Sequence, residues 1–446
     1  MSTNPKISKR LLTTGLGVGA LALMASRASA DTSFTSFAFP ATGAPTSRSM
    51  PDRLADIKNV LEFGADPTGA SDSSTAFQNA INASSGNQRA IVFVPAGRYQ
   101  ISKTISLPMS IAITGDGQAS YLQGNVNGFI LDYFNTTGPN PLAQLVIEKL
   151  KITNSNATAG TGCVRLVGCI NPVVRDCYVS GVIGITFYDD TSGAGSQSML
   201  VENCDVHSYQ SAGTAGTVGI WAEANSSIIS CDLVGWDVAI HINGFGPHIL
   251  GTRIEVCNTA ILLGNTTNND YAEAFFIGGG TTIEACLTGI YAASGSSAGV
   301  ISAVHIHGTT GTPSGALSNY GIRLGPFGAA TYIAVVGVLL DGSYAVNGIS
   351  IGDNNSGGNH LGGLSFVSTL SPSWGMPSVA CTAEFISCNN PAATFTFANL
   401  PSSPVEGMEY DITDCKANTF GAAAAGGGAT HARIRYNGTN WTVMAI

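Results

Sequence analysis

The sequence contains little charge. Asp, Glu, Lys and Arg together make up 11% of its 446 residues, whereas about 25% is usual in soluble globular proteins. A disordered chain is still not expected, because 44% of the residues are hydrophobic. The chain has a formal net charge of −9 at pH 7, whereas nucleic-acid binders present basic stripes, so we predict no nucleic-acid partner.

Three further patterns are missing. Beyond the N-terminal region no apolar run reaches the 18 residues of a membrane span, so we predict no transmembrane segment. The 3.6-residue periodicity of a helical solenoid is also missing. The ten cysteines lack CxxC spacing, and no His-x-x-x-His pattern accompanies them, so we predict neither a metal site nor a cofactor.

What the sequence does contain is a repeated phrase. A small residue, an Ile and an alternating apolar–polar tail recur at intervals of 20 to 35 residues. The phrases begin at Gly184, Gly219, Ala239, Ala260, Gly289, Gly321 and Gly348. Alternation is typical of strands, and repeats of this length indicate a solenoid. The sequence therefore predicts an all-β solenoid in which each repeat is one coil and neighbouring coils stack their strands in parallel.

A second phrase places cysteines at equivalent positions of successive coils. Cys177, Cys204 and Cys231 follow one another at intervals of 27 residues. We interpret them as a buried ladder of small apolar groups rather than as disulfides. Cys381 and Cys388 remain a candidate disulfide pair.

The N-terminal region has the composition of an export signal. Lys6, Lys9 and Arg10 precede a Gly-interrupted apolar run, and Ala28-Ser29-Ala30 provides a small-residue cleavage pattern. We therefore predict a signal peptide over residues 1–30 that is recognised by the Sec or the twin-arginine pathway. The protein is accordingly predicted to be periplasmic or secreted. Residues 31–57 are rich in Ser, Thr, Ala and Pro and are predicted to be a linker.

The first organised segment carries a family resemblance. The order VLEFGADPTGASDSSTAFQNAI, IVFVPAGRYQISKTISLP and ITGDG, between Val60 and Gly117, resembles the opening of pectate lyase–like proteins of the rhamnogalacturonase and epimerase type. The resemblance implies a right-handed parallel β-helix over residues 58–370, with a short N-terminal capping helix, and a polysaccharide as partner. It does not fix the activity, since that family includes hydrolases, lyases, epimerases and phage tailspikes.

The C-terminal region, residues 371–446, is predicted to be a small β module. Its last hairpin has an Asn437-Gly438 turn between two alternating strands. The segment MEYDITDCKANTFGAAAAGGGATHARIRYNGTNWTVMAI resembles the terminal modules of phage tailspikes, which implies a trimerising or attachment tail and hence a homotrimer. A cap over the last coil is the alternative, because an open solenoid end needs cover.

Stacking the repeats predicts one outward face with aromatic, acidic and amide side chains. These residues are Tyr188, Trp221, Glu223, His241, Asn243 and Tyr291. Aromatic rings stack on sugars, and carboxylates and amides bond hydroxyl groups. We interpret Tyr188, Trp221 and Tyr291 as sugar platforms and Asn243 as a further binding residue; a surface cluster without function is the alternative.

Glycoside hydrolysis usually needs two carboxyl groups. We assign Glu223 as the acid, Asp237 or Asp190 as the base, and His241 as an orienting residue, since coils lie about 4.8 Å apart. On another column, Arg253 stands near Asp232 and Glu255. We interpret it as part of a surface ion-pair ladder or as a substrate-binding cation.

One class of family chemistry is not expected here. Polygalacturonase-type hydrolases carry Asn-Thr-Asp, Asp-Asp, Gly-His-Gly and Arg-Ile-Lys on consecutive coils. The corresponding positions of this chain hold Thr217-Val218-Gly219, Asp237-Val238 and Asn258-Thr259-Ala260. We therefore predict an endo-acting glycoside hydrolase with a different site. A non-catalytic polysaccharide-binding or tailspike-like structural protein is the alternative, and a polysaccharide lyase is the third.

Overall fold

The structure is a computed structural model. The residues that it describes are 38–40, 47–49, 56–84, 91–140, 144–189, 194–264, 271–293, 295–325, 332–342, 344–345, 347–351, 360–367, 382–388, 396–400, 404, 406–407 and 409–446. The predicted signal peptide, Asp190 and Cys381 lie outside these residues. Among the described residues, no helix is long and apolar enough to cross a membrane.

The chain forms a right-handed parallel β-helix with three sheets. Each complete coil passes through a first, a second and a third sheet, and every strand in these sheets pairs in parallel with the equivalent strand of the next coil. The predicted fold class is therefore confirmed. Parallel stacking satisfies the backbone hydrogen bonds of each coil through its two neighbours.

The sheets contain the following strands. The first sheet contains Ile57–Asn59, Ile91–Val94, Ser110–Gly115, Gln144–Glu148, Val173–Arg175, Leu200–Glu202, Ser227–Ile229, His248–Leu250, Phe276–Gly278, Val300–Ser302 and Ala334–Val336. The second contains Gly97–Ile101, Ser120–Gly124, Lys151–Asn154, Tyr178–Gly181, Asp205–Ser208, Asp232–Val234, Arg253–Glu255, Thr282–Glu284, His305–Gly308 and Leu339–Gly342. The third contains Ile105–Ser106, Phe129–Phe134, Gly162–Val167, Ile183–Thr186, Val218–Ala222, Val238–Ile242, Thr259–Leu263, Thr288–Ala292, Tyr320–Leu324 and Asn347–Ile351.

Two long strands end the solenoid. His360–Val367 pairs with the last strands of both the first and the second sheet, and Thr382–Cys388 pairs in parallel with it. The predicted solenoid boundary at residue 370 is therefore too early. Pro372 and Pro377 interrupt the sequence pattern before this last strand, which explains the error.

Smaller elements complete the structure. The short pairs are Ala38–Pro40 with Ser47–Ser49, Tyr188–Asp189 with Ala194–Gly195, and Gly244–Phe245 with Ala272–Glu273. The helices are the α-helix Ser74–Ser84 and the 3₁₀ turns Val60–Phe63, Gly117–Ala119 and Phe397–Asn399. The first short pair lies within the predicted linker.

The repeated phrase fills the core as predicted. Its isoleucines, such as Ile185, Ile220 and Ile240, pair with one another across the third sheet and are fully buried. The second residue beyond each Ile is also buried, as Ala222 and Ile242 show. Since side chains of a strand alternate between its faces, the residues between these positions point outward.

A left-handed residue forms the corner between the first and second sheets. Asp176, Asn203 and Ser230 have φ values of 53°, 52° and 53°, a conformation that Asn and Asp tolerate better than most residues. The side chain of Asn203 donates a hydrogen bond to Asp176 at 2.6 Å. This sharp corner turns the next residue inward, which is why a buried cysteine follows it, as Cys204 does.

The predicted capping helix is present. The Asp72 carboxylate accepts hydrogen bonds from the backbone N–H groups of Ser74 (3.1 Å) and Ser102 (3.0 Å) and so fixes the helix start to the next strand. Phe77 and Ile81 pack from the helix into the core. The helix thereby covers the first coil.

The C-terminal β module is a three-stranded antiparallel sheet. It consists of Glu409–Cys415, Thr430–Tyr436 and Trp441–Ala445, and it contains the predicted hairpin. The side-chain oxygen of Asn437 accepts hydrogen bonds from the N–H groups of Thr439 and Asn440, at 3.0 and 2.8 Å, which closes the turn.

We expect the buried cysteines to be unreactive in the native protein. The eight cysteines whose side chains the structure describes are free and buried, and burial raises the pKa of Cys163 to about 12 and that of Cys169 to about 12. Since the thiolate is the reactive form, a thiol reagent at pH 8 should label at most two groups natively and all ten after denaturation and reduction. Native labelling of more than two would contradict the buried ladder.

Candidate functional site

The outward column of the third sheet has the predicted register. Thr186, Trp221, His241, Leu262 and Tyr291 are successive Cα partners across five coils. The sequence pattern thus placed these side chains in one line along the solenoid axis. Their surroundings, however, differ from the exposed face that we predicted.

Two rings of this column stack, and a third ring from the neighbouring corner packs against them. The ring of Trp221 lies 4.8 Å from that of His241, at an interplanar angle of 19°, and 5.6 Å from that of Tyr188. Tyr188 comes from the preceding coil and His241 from the next, so neighbouring rings occupy both sides of Trp221. Tyr188 and His241 are only 8% and 6% exposed. The prediction that these residues share an exposed face is therefore wrong.

Tyr291 stands further along the same column. The guanidinium of Arg323 lies 4.9 Å from the centre of its ring and 5.0 Å from the ring of Tyr320. Burial raises the pKa of Tyr291, although the charge of Arg323 acts in the opposite direction. The phenol therefore stays protonated at neutral pH and can donate a hydrogen bond.

Glu223 lies at the end of the strand that carries Trp221. Its side chain is half-buried, and its carboxylate is packed against the backbone of Gly195 so closely that a Cβ at Gly195 would overlap it. Gly195 belongs to the hairpin formed by Tyr188–Asp189 and Ala194–Gly195. The hairpin thus covers Glu223 and is compatible only with glycine at this point.

His241 and Asn243 are held inside the same edge. Asn243 is 3% exposed, and Nε2 of His241 lies 3.1 Å from the carbonyl oxygen of Gly264. Because a carbonyl can only accept, Nε2 carries the proton in this hydrogen bond. His241 therefore contacts the carbonyl of Gly264 and the ring of Trp221, and its orienting role stays a prediction.

Asp237 and Glu223 do not lie close together. It precedes its strand, whereas Glu223 follows the neighbouring strand, so the two lie about 20 Å apart along the strand direction. Its carboxylate accepts hydrogen bonds from the N–H of Gly216 (2.8 Å) and from Nδ2 of Asn258 (2.9 Å). The pairing of Glu223 with Asp237 as acid and base is wrong, because alternation identified the face but not the end of the strand.

Arg253 lies on a different sheet from Trp221. It projects from the second sheet, where its guanidinium contacts Asp232 at 2.5 Å and Glu255 at 2.8 Å. The hydrogen bond with Asp232 raises the pKa of Arg253. The ion-pair interpretation agrees with this geometry, and the alternative role of Arg253 as a substrate-binding cation stays a prediction. Asp190, the other candidate base, lies outside the described residues.

The structure adds three residues that the sequence reasoning missed. Phe245 and Tyr271 are 50% and 47% exposed, and Glu273 is the Cα partner of Phe245 on the next coil. They follow the third sheet, where its strands turn toward the first. The signal for Phe245 was an aromatic residue between two glycines and before a proline, in a turn.

Two buried polar atoms of the column have no hydrogen-bond partner within the described part of the chain. They are Nε1 of Trp221 and the hydroxyl oxygen of Tyr291. Buried polar groups are almost always bonded, so these donors are suited to a ligand that brings acceptors. We call the whole surface the third-sheet edge; it comprises Tyr188, Trp221, Glu223, His241, Asn243, Phe245, Tyr271, Glu273 and Tyr291.

The sequence matches a known family over most of the solenoid. The family described as rhamnogalacturonase A/epimerase, pectate lyase-like, matches residues 57–312, which are more than half of the chain. The chain belongs to this family. No curated protein matches the sequence.

Solved structures resemble this family member in fold. A tailspike protein of E. coli bacteriophage HK620, a double mutant in complex with a pentasaccharide, is 12% identical, with a TM-score of 0.62 over 84% of this chain and 74% of that chain. The Yersinia enterocolitica Family 28 exopolygalacturonase is 13% identical, with a TM-score of 0.49 over 74% of this chain and 77% of that one. At these identities the likeness to the tailspike shows the parallel β-helix fold alone.

We expect Asp237 to be a structural residue. Its replacement in Asp237→Ala leaves the N–H of Gly216 and the amide of Asn258 without their acceptor, which should lower the free energy of unfolding by about 1–3 kcal/mol. Urea unfolding measures the change, with Glu284→Ala, an exposed acid on the second sheet, as the control. Equal stabilities of the two variants would refute this role.

Proposed function

We propose that this family member binds a polysaccharide along the third-sheet edge and hydrolyses it within the chain. The observation that carries the proposal is the pair of buried, unpartnered donors at Trp221 and Tyr291, set in an aromatic column. Sugars offer hydroxyl and ring oxygens as acceptors and apolar ring faces for aromatic contact. The family match supports a polysaccharide as the ligand class.

The aromatic residues divide into two roles. Trp221 is enclosed by the rings of Tyr188 and His241. The indole Nε1–H group, rather than the face of the ring, therefore contacts the ligand. Phe245 and Tyr271 have exposed rings on neighbouring coils and act as the sugar platforms. Since coils are about 4.8 Å apart, a glycan lying along the solenoid axis meets one side chain of the column per coil.

The proposed carboxyl pair is Glu223 and Glu273. They lie on the same edge, two coil steps and about two residues apart, which places their Cα atoms about 12 Å from each other. Shielded Glu223 is suited to donate a proton to the leaving glycosidic oxygen. Glu273 removes a proton from the attacking water, an arrangement that inverting hydrolases achieve with carboxyl groups about 6.5–9.5 Å apart. Asp190 remains the alternative base.

A second function, binding without catalysis, is favoured by one specific observation. The carboxylate of Glu223 is covered by the hairpin at Gly195, which limits its access to a substrate. In that case the exposed rings of Phe245 and Tyr271 hold a glycan that is not cleaved. A lyase is the third candidate, and its unsaturated product absorbs ultraviolet light.

Export and self-association belong to the same proposal. The N-terminal composition supports export through the Sec or twin-arginine pathway, and a polysaccharide ligand is consistent with action outside the cytoplasm. A homotrimer remains the prediction from the C-terminal module. Comparing the N-terminus and mass of protein from the periplasm or medium with those of the full chain tests cleavage after residue 30.

The first test is a survey of substrates. Plant, bacterial and capsular polysaccharides are incubated with the protein while reducing ends and ultraviolet absorbance are followed together. We expect new reducing ends without absorbance. Retention in affinity gels without any product would instead establish the binding function, and absorbance would establish a lyase.

With a cleaved substrate in hand, the carboxyl pair is tested by substitution. Glu223→Gln and Glu273→Gln should each lower kcat by about 100-fold or more, because general acid or base catalysis is lost. Glu284→Gln removes an exposed acid from the second sheet and should leave kcat unchanged. Full activity of either Glu223→Gln or Glu273→Gln would refute the assignment.

The hairpin gives an independent test of Glu223. In Gly195→Ala the new methyl group occupies the position of the Glu223 carboxylate, so that carboxylate must move. We expect a loss of activity close to that of Glu223→Gln, with a preserved circular dichroism spectrum. Gly216→Ala is the control. A Cβ at Gly216 would meet no atom within 4 Å, but the φ of this glycine is +79°, so this variant shows what the loss of glycine flexibility alone does to activity.

A further inference from the structure

One guanidinium of the third sheet has no charged partner. Arg323 lies in the strand Tyr320–Leu324, and in the described part of the chain it forms neither an ion pair nor a hydrogen bond. Arg165, Arg175 and Arg253 instead contact carboxylates at 2.8, 2.6 and 2.5 Å. A guanidinium is always charged in proteins and carries five N–H donors. The donors of Arg323 are therefore available to a ligand.

Two tyrosine rings hold this guanidinium in place. Its central carbon lies 4.9 Å from the centre of the Tyr291 ring and 5.0 Å from that of the Tyr320 ring, which is within the range of cation–π attraction. Tyr291 is the Cα partner of Arg323 on the preceding coil, and Tyr320 begins the strand of Arg323. A ring attracts the cation without the strong hydrogen bonds that a carboxylate would accept. The charge is thus positioned while its donors stay unoccupied.

A second donor without a partner lies on the adjacent coil. The hydroxyl oxygen of Tyr291 is buried and has no hydrogen-bond partner among the described residues. Burial raises the pKa of this phenol, so the hydroxyl keeps its proton at neutral pH. Arg323 and Tyr291 together therefore suit a group that only accepts hydrogen bonds and carries negative charge. Carboxylate and sulfate groups meet both conditions, and a guanidinium can bind two oxygens of such a group at once.

The charges of the third-sheet edge change sign along the solenoid axis. Glu223 lies four coil steps from Arg323, or about 19 Å, and Glu273 lies two steps away, or about 10 Å. The other described arginine of this sheet, Arg165, is paired with the Asp132 carboxylate. Along the described part of this edge, an anionic group is therefore attracted at Arg323 and repelled at the two glutamates.

We propose that Arg323 and Tyr291 form an anion subsite for a glycan that carries isolated acidic groups between neutral sugars. The proposal rests on glycan binding at the third-sheet edge, as proposed above. A polymer with a carboxylate on every sugar fits poorly, because its charges would lie beside Glu223 and Glu273 and would meet the net charge of −9 of the chain. A single carboxylate or sulfate ester binds the cation while neutral sugars lie over the glutamates.

Binding of simple sugars tests the anion subsite without catalysis. Sodium glucuronate, glucose sulfate and glucose are titrated at constant ionic strength while the side-chain Nε–Hε signal of Arg323 is followed by NMR. The loss of this signal in Arg323→Gln assigns it. At least one acidic sugar should bind about tenfold or more tightly than glucose, because its contacts with the guanidinium are charge-assisted. The tighter of the two identifies the anion as carboxylate or sulfate. Equal or absent responses to all three sugars overturn the proposal.

A polysaccharide that the protein cleaves or retains gives the second test. Arg323→Gln should raise its KM, or its Kd where nothing is cleaved, by about tenfold or more. Carboxyl reduction or desulfation of the polysaccharide should have the same effect on the unaltered protein and should abolish the effect of the substitution. Arg323→Lys keeps the charge but not the two-pronged contact, so it should recover part of the loss. Arg98→Gln, which removes an exposed arginine from the second sheet, is the matched control.

The outcomes separate the anion subsite from hydrolysis. Circular dichroism and the melting temperature establish that each variant is folded. A neutral glycan that binds equally well to Arg323→Gln overturns the subsite and leaves the proposed cleavage intact. Tighter binding of polygalacturonate than of its partly carboxyl-reduced form overturns the preference for isolated charges. A response of Arg323 to an acidic sugar, without cleavage of any glycan, rejects the hydrolase and supports the subsite.

Discussion

The solenoid of this protein depends on the in-register pairing of parallel strands between coils. The backbone hydrogen bonds of one coil are completed only by the coils above and below it, so the equivalent residues of all coils must align. Because of that alignment, a sequence repeat produces columns of side chains. The columns inside the solenoid consist of isoleucines and cysteines, and those outside consist of aromatic or charged residues. Three sheets give three outer surfaces, and each has its own composition.

The repeat was sufficient to predict the core and the columns. The recurring Ile of each phrase and the second residue beyond it identified the buried positions, and the spacing of Trp221, His241 and Tyr291 gave their true register. The corner cysteines were predicted correctly for the same reason. Contacts between distant residues could be predicted here because the same contact recurs in every coil, which makes the sequence periodic.

The local environment of the site could not be read in the same way. Alternation states on which side of a strand a residue lies, but not what covers it, and the cover comes from irregular corners. The hairpin at Gly195 covers the Glu223 carboxylate, and Phe245 and Glu273 project from a turn whose path no periodicity describes. The error over Asp237 has the same origin, because its partners Gly216 and Asn258 belong to corners.

Variation in repeat length is confined to those corners, and this has a consequence for how the molecule can change. A coil may gain or lose many residues between sheets while its strands stay in register, as the intervals of 20 to 35 residues between the recurring isoleucines demonstrate. Stability in such an array is a sum of neighbour-to-neighbour contributions. New loops can therefore be added beside the third sheet without disturbing distant coils, so one unchanged scaffold can acquire different ligand preferences by insertion alone.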